Sequence, residues 1–463
     1  MNQSRARNDA LKEVLTEARL TYEQLAVDVR AVAAEAGDVL KTNKSAVGSW
    51  VRGGDPEPRT AAYIAEAISR RLGRHVAPTD LGFSVETSEG APGAELGLGL
   101  GPDPMDTLRR IGEADIYRRK FLTNAAYSVA AAALPLGVEQ AIEYEQRAAM
   151  VQRSKRAGRA ELEAVRDMVD MFVRVDERHG GQHGRSAVVQ YLRSDVAELV
   201  ASSFATEAEK HEALMLAACV AYLCGWKSYD ASEHGLAQRY YLQALALTRS
   251  TGDSLQEAWI LRIMAHNGMD IRRPQHTLNL AEAALDRVRG RVDPATEALF
   301  AVTRARALAT VRRGPEAAIQ IRQAQDLIMR GSEAELPYWA ALWGSARATV
   351  GSHTGKTFRA LGDHANAEKH YAASARLRPK NGNERITALT LASQGEQQAA
   401  QGHLEAACDT WGKALDMFGG VRSARASSEV KSMRRQLAVF ERRGVKAAAE
   451  LDERARSWQF AYA

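Results

Sequence analysis

Apolar positions recur at helical spacing along most of the chain. Near the N-terminus Leu11, Val14 and Leu15, then Leu25, Ala26 and Val29, each fall on one face of a 3.6-residue period. The stretch "NKSAVGSWVRGG" places Val47, Trp50 and Val51 at i, i+3 and i+4, with Asn43 as an N-cap and Gly53-Gly54 as a stop. "RTAAYIAEAISRRLG" predicts another helix over 59–73 with Tyr63, Ile64 and Ile68 turned inward. These patterns predict a bundle of four or five short helices over residues 1–83. Helix formers dominate and β-branched runs are scarce, so the fold class predicted is all-α.

Helical periodicity stops at "SVETSEGAPGAELGLGLGPDPMD", a Gly/Pro-rich stretch that predicts a flexible linker over 84–117. Its "GLGLG" is not a dinucleotide-binding loop, because that loop needs a strand before it and a helix after it, whereas Pro102 and Pro104 follow here. Residues 118–160 are expected to form connecting helices. Within them "RRKFLTNAAYSVAAAALPLG" reads like an export signal, but more than a hundred residues precede it. Ser128 and Pro135 interrupt its apolar run, which is far short of the roughly 20 residues that span a bilayer. The expectation is a buried tether with Phe121, Leu122, Ala125 and Val129 on its inner face. Its basic start, Arg118 to Lys120, opposes the helix dipole and is expected to face acidic side chains such as Glu161 and Glu163.

From residue 161 a longer period appears. Gly355, Gly362, Asp363, Ala367, Tyr371 and Pro379 fit the tetratricopeptide pattern, with Ser374 in a place that prefers Ala. Forty residues later Gly395, Gly402, Ala407, Trp411 and Ala414 repeat it, and Gly225, Ala237, Tyr241 and Ala244 give an earlier copy. Degenerate copies fit around Ala187/Tyr191 and Gly314/Ala317/Ala324. Five to seven helical hairpins are predicted over 161–463, stacked as a solenoid with a concave binding face. The small residues let paired helices approach closely, and the aromatic is expected to fill the gap to the next hairpin. First helices should line the groove, which nominates Tyr222, Trp226, Tyr229, Asp230, Lys356 and Arg359 as ligand-binding residues. Aromatic rings beside a carboxylate and facing two cations suit a peptide or a small amphiphilic signal.

Composition narrows the function. A chain of 463 residues exceeds what one core usually serves. Cys219, Cys224 and Cys408 form no disulfide framework or zinc pattern, which predicts reduced thiols and a cytoplasmic protein. The net charge is +5, yet residues 1–86 hold 12 basic and 12 acidic side chains, whereas 421–463 hold 10 basic and five acidic. DNA binding by the N-terminal bundle must therefore rest on its motif. The helix after Asn43 offers Lys44, Ser45 and Ser49 on its polar face, with Asn43 and Arg52 at its ends. Lysine can donate to guanine, and serine can donate to or accept from any base.

Residues 11–83 resemble the phage-repressor-like (XRE-type) helix-turn-helix domains. "LTYEQLA" is similar to the start of their scaffold helix, "NKSAVGSWVRG" to their recognition helix, and "PEPRTAAYIAEAIS" to the helix after proline. A closer resemblance is to actinobacterial, Streptomyces-type regulators that combine "SWVRG", "IAEAISRRLGR" and "DLGF" with tetratricopeptide repeats, akin to the repeat-containing regulators of peptide quorum sensing. Two departures stand out: "DVRAVAAEAGDVLKT" replaces a tight turn, and Tyr22 replaces a phosphate-contacting Gln. The resemblance implies a DNA-binding head, recognition helix about 43–53, on a sensor body that repositions it.

Other motifs carry less. "GSHTGKT" is one residue short of a phosphate-binding loop and follows no strand. His179 and His183 have helical metal-pair spacing, but "HGGQH" puts two glycines between them, which predicts a mobile loop. No catalytic set, metal cluster or cofactor site can be assigned, so no enzyme is expected. The expected partners are double-stranded DNA, a signalling peptide or small-molecule ligand, and a second copy in a homodimer, with no membrane. The alternative is a tetratricopeptide scaffold that holds a partner protein without binding DNA.

Overall fold

The first three helices of the N-terminal bundle start where a short polar side chain satisfies otherwise orphaned N–H groups. The computed structural model describes residues 7–35, 39–72, 76–83, 97–100, 103–117, 127–128, 131–136, 156–273, 276–379 and 382–462. Asn8 caps α1 (Asp9–Glu17), its side chain accepting from the Leu11 N–H. Thr21 and Gln24 form a reciprocal box at the head of α2 (Tyr22–Glu35), with bonds of 3.0 and 3.2 Å. Asn43 caps α3 (Lys44–Val51), and α4 (Pro58–Leu72) begins on a proline whose missing N–H costs nothing there. Leu11, Leu25, Val29, Val47, Ile64 and Ile68 are fully buried at the centre. A 3-10 turn, Pro78–Leu81, folds back so that Asn8 Nδ2 donates to the Leu81 carbonyl at 2.8 Å. The segment that departs from the resembled domains is largely a longer α2, and Arg30 ties it to α3 by donating to the Thr42 carbonyl.

The fold is all-α, and no strand occurs among the described residues. The linker expected over 84–117 is shorter than that. Residues 104–117 form α5 (Pro104–Tyr117), with Leu108, Ile111 and Ala114 buried against the rest of the body. Gly97 and Leu98 are buried as well, and the Gly97 and Gly99 carbonyls accept from Gln243 Nε2 at 3.1 and 2.9 Å. Composition suggested flexibility because Gly and Pro favour turns, but here they make a turn that docks. Of the "RRKFL" stretch, Arg118 to Lys120, Phe121, Leu122, Ala125 and Val129, the expected basic start and inner face, lie outside the described residues. Its later part contains a 3-10 turn, Ala131–Leu136, with Ala131 and Ala132 buried. Glu161 and Glu163, the expected partners of its basic start, bond locally to the Gly158 N–H and to Arg159. No helix among the described residues is long and apolar enough to cross a membrane.

Helices α6 (Arg159–His179) and α7 (Arg185–Tyr191) open the body. Six hairpins follow among the described residues. They are α8 (Glu207–Asp230) with α9 (His234–Ser250), α10 (Ser254–Asp270) with α11 (Thr277–Val288), and α12 (Pro294–Thr310) with α13 (Gly314–Arg330). Then come α14 (Ala346–Leu361) with α15 (His364–Leu377), α16 (Glu384–Ala400) with α17 (Leu404–Met417), and α18 (Ala424–Glu441) with α19 (Lys446–Tyr462). Thr206, Asp253, Asp293, Ser345 and Ser423 cap five of the six first helices.

The glycine of each strong repeat copy lies under an aromatic of its own hairpin. A Cβ on Gly225 would stand 2.5 Å from Tyr241, one on Gly355 2.9 Å from Tyr371, and one on Gly395 2.5 Å from Trp411. The aromatic therefore fills space inside its hairpin, not the gap to the next one as its spacing suggested. Ser374, the departure from the repeat pattern, is buried and donates to the Ala348 carbonyl at 2.6 Å.

The array closes on itself. The Arg422 N–H donates to the His179 carbonyl at 2.8 Å, and the Gln182 N–H donates to the Arg422 carbonyl at 3.3 Å. The Gly180–Gly181 loop, expected to be mobile, is the seam of this closure. Gly180 sits at φ 89° with no room for a side chain against Arg422, and the Gly181 N–H bonds to Asp230 at 2.8 Å.

Candidate functional site

Closure encloses a central cavity of about 790 Å³, walled chiefly by the first helices of successive hairpins. Helix α8 contributes Tyr222, Trp226 and Tyr229; α10 contributes Trp259, Arg262, His266 and Asp270. Helix α12 supplies Arg306, α14 supplies His353, Lys356 and Arg359, and α18 supplies Arg425 and Glu429. Trp343, on the connection between α13 and α14, completes an aromatic wall with ring centroids 4.5 Å from Tyr222 and 6.1 Å from Trp226.

Five of the six side chains nominated from sequence line this cavity: Tyr222, Trp226, Tyr229, Lys356 and Arg359. Asp230 does not. It is fully buried at the closure, where it accepts from Arg385 at 2.8 Å and from the Gly181 N–H. Arg385 also donates to Asp176 and Glu177, each at 2.9 Å, and Lys227 reaches Asp176 at 3.2 Å. Asp230 comes one residue after Tyr229, so the turn of the helix carries it out of the cavity wall. Burial works to raise its carboxyl, and Arg385 and Arg425 overcome that and hold it below the usual range.

The rest of the polar lining was not foreseen. Arg306 donates to Asp270 and, at 3.0 Å, to Nδ1 of His266. A guanidinium can only donate, so Nδ1 accepts and the His266 proton sits on Nε2, 3.1 Å from Thr303 Oγ1. The His353 ring meets His266 edge-on at 4.5 Å. Arg262 lies over Trp259 at 4.6 Å and donates to the Leu299 carbonyl. Among the described residues neither Arg262 nor Lys356 has a carboxylate partner. The readable signal was the series Trp259, Arg262, His266 and Asp270, a polar stripe at three- and four-residue spacing on a helix otherwise rich in Ile, Leu and Met.

Electrostatics follow from that crowding. Burial and the neighbouring Arg306 and Arg425 bring Lys356 down to about 7, against the pull of Asp270. Burial first, then Arg262, Arg306 and Lys356, hold His266 well below its ordinary value, and His353 behaves alike. Burial lowers Arg262 to about 10. Asp270 goes the other way: burial opposes its ionisation, and Arg306, Lys356 and Arg425 more than compensate.

The bundle presents a second surface. On α3, Val47, Trp50 and Val51 are buried, while Lys44, Ser45 and Ser49 are exposed. Asn43 is exposed too, but its side-chain oxygen accepts the Ala46 N–H at 3.0 Å, so it serves the helix before any ligand. Arg52 is exposed and leans over Gly48, 3.3 Å from where a Cβ would stand. A buried seam joins bundle to body: Ser128 Oγ donates to Glu66 Oε2 at 2.6 Å, and the Ser128 backbone exchanges bonds of 2.7 and 2.6 Å with Gln238 on α9. The "GSHTGKT" stretch lies inside α14, which rules out a phosphate-cradling loop and puts its lysine, Lys356, in the cavity wall.

A family model described as the SP15 N-terminal domain matches residues 11–84, the span of the bundle from α1 through the Pro78–Leu81 turn. No curated protein matches the chain.

Proposed function

We propose that this chain is a ligand-responsive, DNA-binding transcription regulator: α3 reads the major groove and the hairpin array, read as tetratricopeptide repeats, holds a signal in its cavity. The observation that carries the reading is the division of α3 into a buried apolar face and an exposed face of Lys44, Ser45 and Ser49. A helix anchored that way can enter a groove while its other side stays packed. The family match supports it only in setting the bundle apart as a unit, 11–84. A cavity lined by six aromatic side chains and many cations gives the body something to sense. The seam through Glu66, Ser128 and Gln238 gives a physical route by which the body can bias the head.

A bundle with balanced charge neutralises few phosphates, so two heads on one operator would raise affinity most economically, which favours a homodimer in the cytoplasm. Selection of DNA fragments by the purified full chain tests the reading. One enriched sequence is expected, and Lys44→Ala should weaken binding to it by about 1–3 kcal/mol with relaxed preference at one base. Failure to enrich any sequence, with the protein folded, would reject it.

A further inference from the structure

Among the described residues the cavity wall carries eight Lys or Arg side chains against three carboxylates, Glu177, Asp270 and Glu429. Two of the three do little to balance the centre. Glu177 is bonded to Arg385 at the closure, and burial together with Glu396 pushes the Glu429 carboxyl up, toward its neutral form. Among the described residues Asp270 is the one carboxylate hydrogen-bonded into the cluster, and Arg306 and Tyr229 already claim it. Lys356, Arg262 and Arg306 thus converge with a single carboxylate among them. Excess buried cation of this kind is costly unless an anion completes it.

Beside this cluster the cavity presents three aromatic rings, Tyr222, Trp226 and Trp343, with Trp343 inclined by 48° to Tyr222 and 52° to Trp226. The two ends of the array meet through the Arg422 backbone, which bounds this chamber at the seam. Its volume, about 790 Å³, falls within the range of small-molecule sites.

We propose that the chamber binds a small organic anion, with its carboxylate or phosphate seated between Lys356, Arg306 and Arg262 and its flat body against Tyr222, Trp226 and Trp343. This rests on the sensor reading of the body and names the class of signal. His266 adds a neutral polar edge, since its Nδ1 is already taken by Arg306. Lys356 is faced by Arg306 and Arg425, by Arg359 on its own helix, by the His266–His353 pair, and by the carboxylates of Asp270 and Glu429. An anion arriving there stabilises the protonated amine, so binding takes up a proton around neutrality.

Two probes with the same rings separate charge from apolar contact: 8-anilinonaphthalene-1-sulfonate and the uncharged N-phenyl-1-naphthylamine. Titration calorimetry on the full chain should give one site per chain for the sulfonate, with the neutral probe about tenfold weaker or more. Lys356→Met should weaken the sulfonate by about tenfold, leave the neutral probe unchanged and not lower the melting temperature. The sulfonate stays ionised from about pH 6 to about pH 9, so its affinity should fall across that window in the wild type and stay flat in the variant. Equal binding of the two probes, or sulfonate affinity indifferent to Lys356, would overturn the proposal. A short peptide displacing the sulfonate more tightly than any small carboxylate or phosphate tested would overturn the size class. DNA binding is scored on the same preparations: if the anion results fail while an operator is still bound, the regulator reading stands. If no DNA is bound while the anion results hold, the regulator reading falls alone.

Discussion

Tyr241 occupies the space that a side chain on Gly225 would need, its ring carbon 2.5 Å from the missing Cβ. The ring cannot retreat, because Tyr241 is fully buried and lies tilted by 50° against Tyr222 of the cavity wall, 5.6 Å between ring centroids. Gly225→Ala should therefore destabilise the body by about 1–3 kcal/mol, although alanine is the better helix former by about 1 kcal/mol. Gly412→Ala is the control. Its Cβ would meet only an Arg454 nitrogen at 3.6 Å, so propensity should act alone and raise stability by about 0.5–1 kcal/mol. Urea denaturation of the two variants checks the sign of each change.

Among the described residues Arg385 is the single cation that touches Asp176, Glu177 and Asp230 together, and all four side chains are buried or nearly so. Replacing it by methionine keeps the bulk and strands the carboxylates. Arg385→Met should cost about 3–5 kcal/mol, less whatever Lys227 and Arg425 recover. Lys413→Met breaks an exposed pair with Asp409 and should change stability by less than about 1 kcal/mol. Equal effects of the two variants would mean that the closure is not a buried ion network.

Periodicity made the helices legible, and the repeat spacing located α8–α9, α12–α13, α14–α15 and α16–α17 but neither α10–α11 nor α18–α19, while the degenerate copy at Ala187/Tyr191 falls on α7, outside the hairpins. It also placed Tyr222, Trp226, Tyr229, Lys356 and Arg359 in the lining of the cavity, because groove-facing positions follow from which helix comes first. Closure of the array was not legible. It depends on Arg385 meeting Asp176 across more than two hundred residues, and no local pattern encodes that contact. The docked α5 was missed for a different reason: Gly and Pro before it mark the start of a helix as readily as a linker. Asp230 was misplaced because side chains one residue apart on a helix diverge by about 100°.

On α3, capping and recognition are separable. Asn43 holds the helix start through the Ala46 N–H, so Asn43→Ala should lower the stability of the bundle by about 0.5–2 kcal/mol. Lys44 is exposed and should leave stability within about 0.5 kcal/mol of wild type when changed to alanine. A loss of DNA binding in Lys44→Ala with an unshifted melting curve then reports a contact. The same loss in Asn43→Ala, accompanied by a lower melting temperature, reports the cap.

Stability against pH gives an independent view of Lys356. In the unfolded chain its amine titrates near its ordinary value, about 10.4. In the folded chain burial and the cations of Arg306 and Arg425 bring it down to about 7. Between those values the unfolded state binds more protons, so stability from this group rises with pH, is complete above the unfolded value, and is lost as pH falls through about 7. Lys356→Met cannot titrate there. The stability of wild type relative to the variant should therefore climb from about pH 7 to about pH 9, measured by urea denaturation at fixed ionic strength. A difference that stays flat over that range would mean that Lys356 keeps its ordinary protonation in the folded protein. Adding the naphthalene sulfonate should flatten the climb, because an anion beside the amine restores its affinity for the proton.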